Sequence, residues 1–189
     1  MASAERNLTV PNVITGVRLA AVPLFAWLLL AQHDRRSAAL LLAAIGTTDW
    51  VDGYIARRFD QVSALGKVLD PVADRMVLIV GVTAILADGS APVWLGAATL
   101  SREALVSVGT LLIAALGGRR IDVQWFGKAG TFGLYLAYPM FLASNARLGN
   151  PDVWRGLAWI CAIPGLALAW VALGTYVPMA RQALQEKTT

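Results

Sequence analysis

Residues 48–75 read TDWVDGYIARRFDQVSALGKVLDPVADR and, besides Asp60, place four aspartates between long apolar runs. Asp49 and Asp52 are three residues apart, and Asp70 and Asp74 are four residues apart. On a helix, either spacing puts both side chains of a pair on one face. A short connection between two such helices would bring the two faces together. The stretch therefore predicts a helical hairpin that carries a cluster of carboxylates.

The sequence around this hairpin is typical of a membrane protein. Of its 189 residues, 57% are hydrophobic and 15% are charged, whereas soluble domains usually carry about 25% charged residues. The mean hydropathy is +0.60. We expect an all-α integral membrane protein, with one domain over residues 1–189 and a short interfacial segment at residues 1–10. Its six transmembrane helices would form one bundle, at residues 11–31, 38–58, 66–87, 91–116, 126–147 and 153–180.

The distribution of charge predicts orientation and excludes some partners. Nine of the sixteen Lys and Arg residues fall on the side of the N-terminus, and four fall on the other side. The apolar stretches predict a multi-pass protein of the cell membrane. The excess of Lys and Arg predicts that the aspartate hairpin faces the cytoplasm. The net charge of +4 comes from residues scattered around helix ends, which favours an anionic membrane or a phosphorylated substrate over nucleic acid. The single cysteine, Cys161, excludes an intrachain disulfide.

The four carboxylates raise the question of what compensates their charge. Protonation would relieve their repulsion but would leave the clustering unexplained. Oxygen ligands on helices suit hard cations such as Mg²⁺ or Mn²⁺, and two ions are the usual clamp for a phosphoryl group during in-line displacement. The sequence therefore predicts a site for two Mg²⁺ or Mn²⁺ ions, with the ligands Asp49, Asp52, Asp70 and Asp74.

The residues between the aspartates fit a phosphorylated ligand. Gly53 and Ala56 are small, so a ligand can approach the helix backbone closely there. Arg57 lies one turn beyond Gly53, where a guanidinium can pair with diphosphate oxygens. Ser63 and Gly66 occupy the connecting turn and the start of the third helix.

Together these residues resemble the signature of the CDP-alcohol phosphotransferases, D-x2-D-G-x2-A-R-x8-G-x3-D-x3-D. Every specified position between Asp49 and Asp74 matches, and so do the length and the six-span layout. The resemblance implies a phosphatidyltransferase that uses CDP-diacylglycerol, releases CMP and works as a homodimer among membrane lipids. It implies that the four aspartates bind the metal ions and that Asp74 is the general base on the acceptor hydroxyl.

The resemblance also implies a donor site. Gly53, Arg57 and Ser63 would contact the CDP moiety. The opening Pro11-Asn12-Val13-Ile14-Thr15 with Arg18 resembles the start of phosphatidylglycerophosphate and cardiolipin synthases. The residues expected to bind CDP-diacylglycerol are Asn12, Thr15, Gly53, Arg57, Ser63 and Gly66.

The acceptor is less well defined. The cations that could bind it are Arg18, Arg102 and Lys128, with Arg119 and Arg120 as further candidates. Ser101–Ala104 and Gly127-Lys128 resemble segments of phosphatidylglycerophosphate synthases, which usually continue G-K-x-K-T-x2-Q. Here residues 127–133 read GKAGTFG, a less polar variant that resembles the actinobacterial cardiolipin synthases. Glycerol 3-phosphate and phosphatidylglycerol both stay open as acceptors, and inositol phosphate is a third.

Several of these residues have other interpretations. Arg18 would instead snorkel to the membrane interface. Arg102 would pair with Glu103 or another carboxylate as a structural bridge. Gly130 and Gly133 would permit close contact between helices. An ion-coupled transporter is the alternative class, because acids and arginines inside a membrane also mark ion pathways. The pattern of Gly53 and Arg57 and the lack of an inverted repeat argue against it.

Overall fold

The computed structural model describes residues 10–58, 66–115 and 125–185, and side chains are described for residues 13–48, 72–112, 115 and 125–175. Within these residues the protein has six α-helices and no strand. The predicted helical stretches are confirmed to within five residues at each end, whereas most of the predicted interfacial segment, residues 1–9, lies outside the described residues. The helices are α1 (Val10–Leu30), α2 (Arg35–Arg58), α3 (Gly66–Ala87), α4 (Val93–Ala115), α5 (Trp125–Asn145) and α6 (Pro151–Gln185).

The surface of these helices is suited to lipid. Among the described residues, α1 over Val13–Leu30 and α6 over Pro151–Thr175 are long and apolar enough to cross a membrane. Large apolar side chains are also exposed on other helices, for example Leu40, Ile79 and Leu105. Such a surface is unfavourable in water and is typical of helices that face lipid tails. A bundle of six spanning helices stays a prediction.

The chain divides into two compact units, and the first contains α1, α2, α3 and residues 142–151. Here α1 packs against both α2 and α3. Phe25 and Leu29 of α1 and Ile85 of α3 are fully buried, and so are the small Ala38 and Ala73. Small residues let helix backbones approach closely, which is how helices associate where lipid removes most of the hydrophobic driving force. The first unit thus places α1 beside both helices of the aspartate hairpin.

One end of this unit is fixed by polar contacts around Asp34 and Asp88. The backbone N–H of Ser37 donates to Asp34 Oδ1 at 3.0 Å, which caps the start of α2. Arg35 Nε donates to both carboxylate oxygens of Asp88, at 3.0 and 2.9 Å, just after α3. The Ser90 hydroxyl also donates to Asp88. These bonds tie the beginning of α2 to the end of α3.

The second unit contains α4, α5 up to Phe141, and α6 from Asp152 onward. Gly130 and Gly133 of α5 face the backbone of α6: a Cβ built on Gly130 would lie 2.6 Å from the Ala169 nitrogen, and one on Gly133 would lie 3.2 Å from the Gly165 Cα. The expectation that these glycines permit close helix contact is confirmed. Helix α6 continues through Pro164.

Candidate active site

Two of the predicted functional residues meet in the first unit. Arg18 of α1 donates from Nη1 to Asp74 Oδ1 of α3, and the two atoms are 3.3 Å apart. The Arg18 side chain is 2% exposed, whereas that of Asp74 is 49% exposed. A buried guanidinium requires a partner because burial removes its hydration. The carboxylate is therefore held from the protein side by a cation and stays accessible on its other side.

Arg18 is positioned by the buried face of α1. Thr15 lies one turn earlier on the same face, and it is 1% exposed. On α3, Ala73 and Val77 are buried on either side of Asp74 in sequence. The packing of α1 against α3 thus brings the guanidinium to the edge of α3, where Asp74 lies. The expectation that Arg18 snorkels to the interface does not fit these contacts, because the side chain turns inward to a carboxylate.

A groove of about 260 Å³ runs between residues 13–21 of α1 and 41–48 of α2. Most of its lining is apolar, from residues such as Val17 and Ile45, while Arg18 and Thr48 also line it. Thr48 directly precedes Asp49, and its hydroxyl donates to the backbone of its own helix. Arg18 therefore borders the start of the aspartate motif on α2 as well as its last residue on α3.

The other motif residues lie on the two flanking helices. Asp49 and Asp52 are in the second half of α2, and Asp70 is in the second turn of α3. At about 1.5 Å per residue, Asp52 is about 9 Å from the end of α2 and Asp70 about 6 Å from the start of α3. Both pairs thus lie near the ends of their helices that residues 59–65 connect, as predicted.

The side chains of most predicted ligands lie outside the described residues. Among the side chains that the structure does describe, no three acidic, histidine or cysteine residues form a group able to hold a metal ion. Three of the four predicted metal ligands are not among those side chains, so the metal site stays a prediction. For the following residues only the helical backbone is described: Asn12, Asp49, Asp52, Gly53, Arg57, Gly66 and Asp70. Ser63, Arg119 and Arg120 lie outside the described residues altogether.

The remaining acceptor candidates lie in the second unit. Arg102 of α4 is 6% exposed, and its Nη1 donates to Glu103 Oε2 at 3.0 Å. Its guanidinium also donates to the Ala169 carbonyl of α6, at 3.4 Å, and to the Thr131 hydroxyl of α5, at 3.5 Å. The predicted pairing of Arg102 with Glu103 is confirmed, and Arg102 links three helices. Lys128 is exposed.

The ion pair between Arg18 and Asp74 was not predicted from the sequence, which assigned Arg18 to the acceptor. A signal for it was present. Arg18 is the only charged residue between Val10 and Leu30, so a cation inside an apolar helix needed a carboxylate from elsewhere. Which carboxylate it meets depends on how α1 packs against α3.

Comparison with known proteins identifies the family. Residues 8–176 match the family described as CDP-alcohol phosphatidyltransferase. The chain belongs to this family. Membership makes the protein a membrane-associated enzyme of phospholipid synthesis and favours a transferase over the transporter that the sequence left open.

Relatives within the CDP-alcohol phosphatidyltransferase family include two groups with different names. The chain is 35% identical to the cardiolipin synthase (CMP-forming) of Streptomyces coelicolor, over 96% of this chain and 86% of the relative. It is 38% identical to a putative cardiolipin synthase of Mycobacterium tuberculosis, over 88% and 80%. It is 32% identical to the CDP-diacylglycerol–glycerol-3-phosphate 3-phosphatidyltransferase of Escherichia coli, over 88% and 87%.

Proposed function

We propose that this enzyme transfers the phosphatidyl group of CDP-diacylglycerol to a glycerol-containing acceptor and releases CMP. The observation that carries the proposal is the complete signature of eight fixed residues from Asp49 to Asp74, in a chain that belongs to the family. The half-exposed Asp74 carboxylate supports it, because a general base must be accessible to the proton that it accepts.

The proposed reaction is an in-line displacement at phosphorus. The acceptor hydroxyl oxygen attacks the phosphorus that carries diacylglycerol, and the bond from this phosphorus to the bridging diphosphate oxygen breaks. CMP leaves with the electron pair of that bond, and Asp74 accepts the hydroxyl proton. Arg57 would hold the diphosphate, while Gly53 and Ser63 would contact the CDP moiety. Asn12, Thr15 and Gly66 would complete the donor site.

Two divalent cations, Mg²⁺ or Mn²⁺, are part of the proposal. The donor set fits them, since it consists only of carboxylate oxygens, and the one ligand whose side chain is described, Asp74, is half exposed. When bound, the ions would supply positive charge against the diphosphate oxygens. The residues that would hold them are Asp49, Asp52, Asp70 and Asp74.

Phosphatidylglycerol is the acceptor that we favour. The Streptomyces coelicolor relative, which is named cardiolipin synthase, aligns with nearly the whole chain. In addition, residues 127–133 lack the second lysine and the glutamine that suit a small charged acceptor, and Gly130 and Gly133 pack against α6. Glycerol 3-phosphate is the second candidate, because the Escherichia coli relative is named for it. Inositol phosphate is the third.

An acceptor screen tests the proposed function. Purified protein in detergent is given CDP-diacylglycerol, Mn²⁺ and one of the three acceptors, and CMP and the lipid product are identified by mass spectrometry. We expect CMP and cardiolipin with phosphatidylglycerol. Phosphatidylglycerophosphate would establish the second candidate instead, and no CMP with any acceptor would refute the proposal. Asp74→Asn removes the proposed general base in the same assay, and Asp152→Asn, the same chemical change on α6, is its control.

We further infer that all six helices cross the membrane, that the aspartate hairpin faces the cytoplasm and that the enzyme is a homodimer. The excess of Lys and Arg on the side of the N-terminus supports the orientation. In a Cys161→Ser background, a membrane-impermeant thiol reagent on intact cells should label Gln32→Cys and not Gln185→Cys. The opposite pattern would reverse the topology. Light scattering in detergent measures the oligomeric state.

A further inference from the structure

We propose that Arg18 is the internal counter-cation of the acidic site: it compensates Asp74 when no divalent ion is bound and competes with the ion that binds there. This inference rests on the proposed function only in taking Asp74 as a metal ligand. It makes Arg18 a positioning residue for Asp74, in place of the acceptor-binding role that the sequence suggested.

The first support is the asymmetry of the ion pair. The Arg18 side chain is 2% exposed and that of Asp74 is 49% exposed. A guanidinium in this position cannot leave for solvent, whereas the carboxylate can receive a ligand from its open side. Arg18 is therefore a permanent part of the site, and an ion that binds Asp74 must do so beside a fixed positive charge.

The second support is the geometry of the contact. Arg18 Nη1 donates to Asp74 Oδ1 over a distance of 3.3 Å. Strong arginine–carboxylate hydrogen bonds are shorter, as between Arg35 Nε and the two carboxylate oxygens of Asp88 in the same unit, at 3.0 and 2.9 Å. A hydrogen bond of this length is weak and is suited to a partner that is exchanged, since less is lost when a metal ion draws the carboxylate toward itself.

The third support is the location of Arg18 relative to the other pair of aspartates. Arg18 lines the same groove as Thr48, the residue directly before Asp49. Arg18 thus borders both helices of the motif. Four clustered carboxylates without an ion would repel one another, and a buried cation beside both helices lowers that repulsion in the metal-free protein.

Arg18→Gln tests the proposal, because it removes the charge and keeps a hydrogen-bond donor. We expect the metal-free protein to unfold at a lower temperature than the wild type in EDTA. We also expect Mn²⁺ to bind more tightly, with a dissociation constant lower by about tenfold, because a like charge near the ion has been removed. Saturating Mn²⁺ should then reduce the deficit in unfolding temperature, since a ligand stabilises the state that binds it.

Two matched variants serve as controls. One separates the loss of charge from the change in side-chain shape, and the other separates an effect on the metal site from a general loss of stability. Arg18→Lys keeps the charge, so its affinity for Mn²⁺ should stay close to that of the wild type. Arg35→Gln removes an arginine from another ion pair of the same unit, so its loss of stability should be equal in EDTA and in Mn²⁺. Mn²⁺ affinity is measured by electron paramagnetic resonance and unfolding by thermal melts, neither of which requires turnover.

Three outcomes would overturn the proposal. Unchanged Mn²⁺ affinity in Arg18→Gln, with a raised KM for the acceptor, would return Arg18 to the acceptor site. An equal loss of stability with and without Mn²⁺ would make Arg18 purely structural. Weaker Mn²⁺ binding would mean that Arg18 supports the ion. An inactive wild type that nevertheless binds Mn²⁺ as described would refute the proposed function and leave this inference standing.

If Arg18→Gln does not fold, Asp74→Asn gives the same information from the other partner. Alone, it should destabilise the metal-free protein, because the buried guanidinium loses the negative charge of Asp74. The double variant Arg18→Gln with Asp74→Asn should recover part of that stability in EDTA. A double variant that is as unstable as the sum of the two single variants would contradict the pairing.

Discussion

Gly130 of α5 lies so close to Ala169 of α6 that a Cβ added at Gly130 would be 2.6 Å from the Ala169 nitrogen and 2.8 Å from the Gly165 oxygen. Both neighbouring atoms belong to the backbone, so neither can rotate away. The contact fixes the separation of two helices in the second unit. Any side chain at position 130 would force these helices apart.

Gly130→Ala should therefore destabilise the enzyme, by about 1–3 kcal/mol as overpacking usually does, and thermal melts in detergent measure it. Gly109→Ala on α4 is the matched control, because nothing lies within 4 Å of its added Cβ. The control should be neutral or slightly stabilising, since alanine is the better helix former. Equal melting temperatures for the two variants would contradict the close contact.

Glu103→Gln should destabilise the second unit. The change leaves the nearly buried Arg102 guanidinium without its carboxylate, and losing a charged hydrogen-bond partner costs about 1–3 kcal/mol. Arg102→Gln with Glu103→Gln should be less unstable than the two single changes added together. Melting temperatures of the four proteins measure the coupling, and strict additivity would show that the pair contributes nothing.

Arg35→Gln should destabilise the protein more than Asp88→Asn, although both changes break the same ion pair. The Asp88 side chain is 3% exposed, whereas that of Arg35 is 43% exposed. Loss of Arg35 therefore leaves a buried carboxylate, at a cost of about 1–3 kcal/mol, while loss of the Asp88 charge leaves an arginine that water can solvate. The opposite order of melting temperatures would contradict the burial.

The stabilising effect of Asp34 should depend on pH. Hydrogen bonds from Ser37 hold the pKa of the Asp34 carboxyl below its ordinary value. A lowered folded-state pKa means that the stabilisation is present above the unfolded-state pKa and is lost as the pH falls through the folded-state pKa. Asp34→Ala should thus melt below the wild type at pH 7, and the difference should shrink in acid.

Circular dichroism melts from pH 7 down to about pH 2.5 follow this change across the carboxyl range. Asp34→Asn is the control, because it keeps a capping acceptor that does not titrate. A difference between wild type and Asp34→Ala that is constant over the whole range would remove the carboxyl from the explanation.

Transfer should require both the metal ions and the Asp74 carboxylate. EDTA should abolish CMP release, and Mg²⁺ or Mn²⁺ should restore it. Asp74→Asn should lower kcat by about 100-fold or more, as expected for loss of a general base, in a protein that still inserts and folds. Activity that is indifferent to the chelator would refute the metal proposal, and full activity of Asp74→Asn would refute the assignment of the base.

Much of the fold, including the helices that carry the motif residues, could be predicted because the signals are local. The helix ends at Arg58 and Gly66 coincide with the predicted ones, since apolar runs interrupted by polar turns leave few alternatives. That Asp49 and Asp52 lie on one face of α2 likewise follows from helical periodicity alone. The pairing of Arg102 with its neighbour Glu103 is also local, whereas its bonds to Thr131 and Ala169 join segments far apart in the chain.

The amino-acid sequence by itself determined the six helices, the signature from Asp49 to Asp74 and, through them, the family. Only the tertiary structure decided that Arg18 meets Asp74, a partner 56 residues away, and that Gly130 lies against Ala169. The physical reason is that hydrogen bonding along a helix and the burial of apolar runs are properties of neighbouring residues. The choice of a partner across two helices depends instead on how each helix is rotated and shifted when it packs.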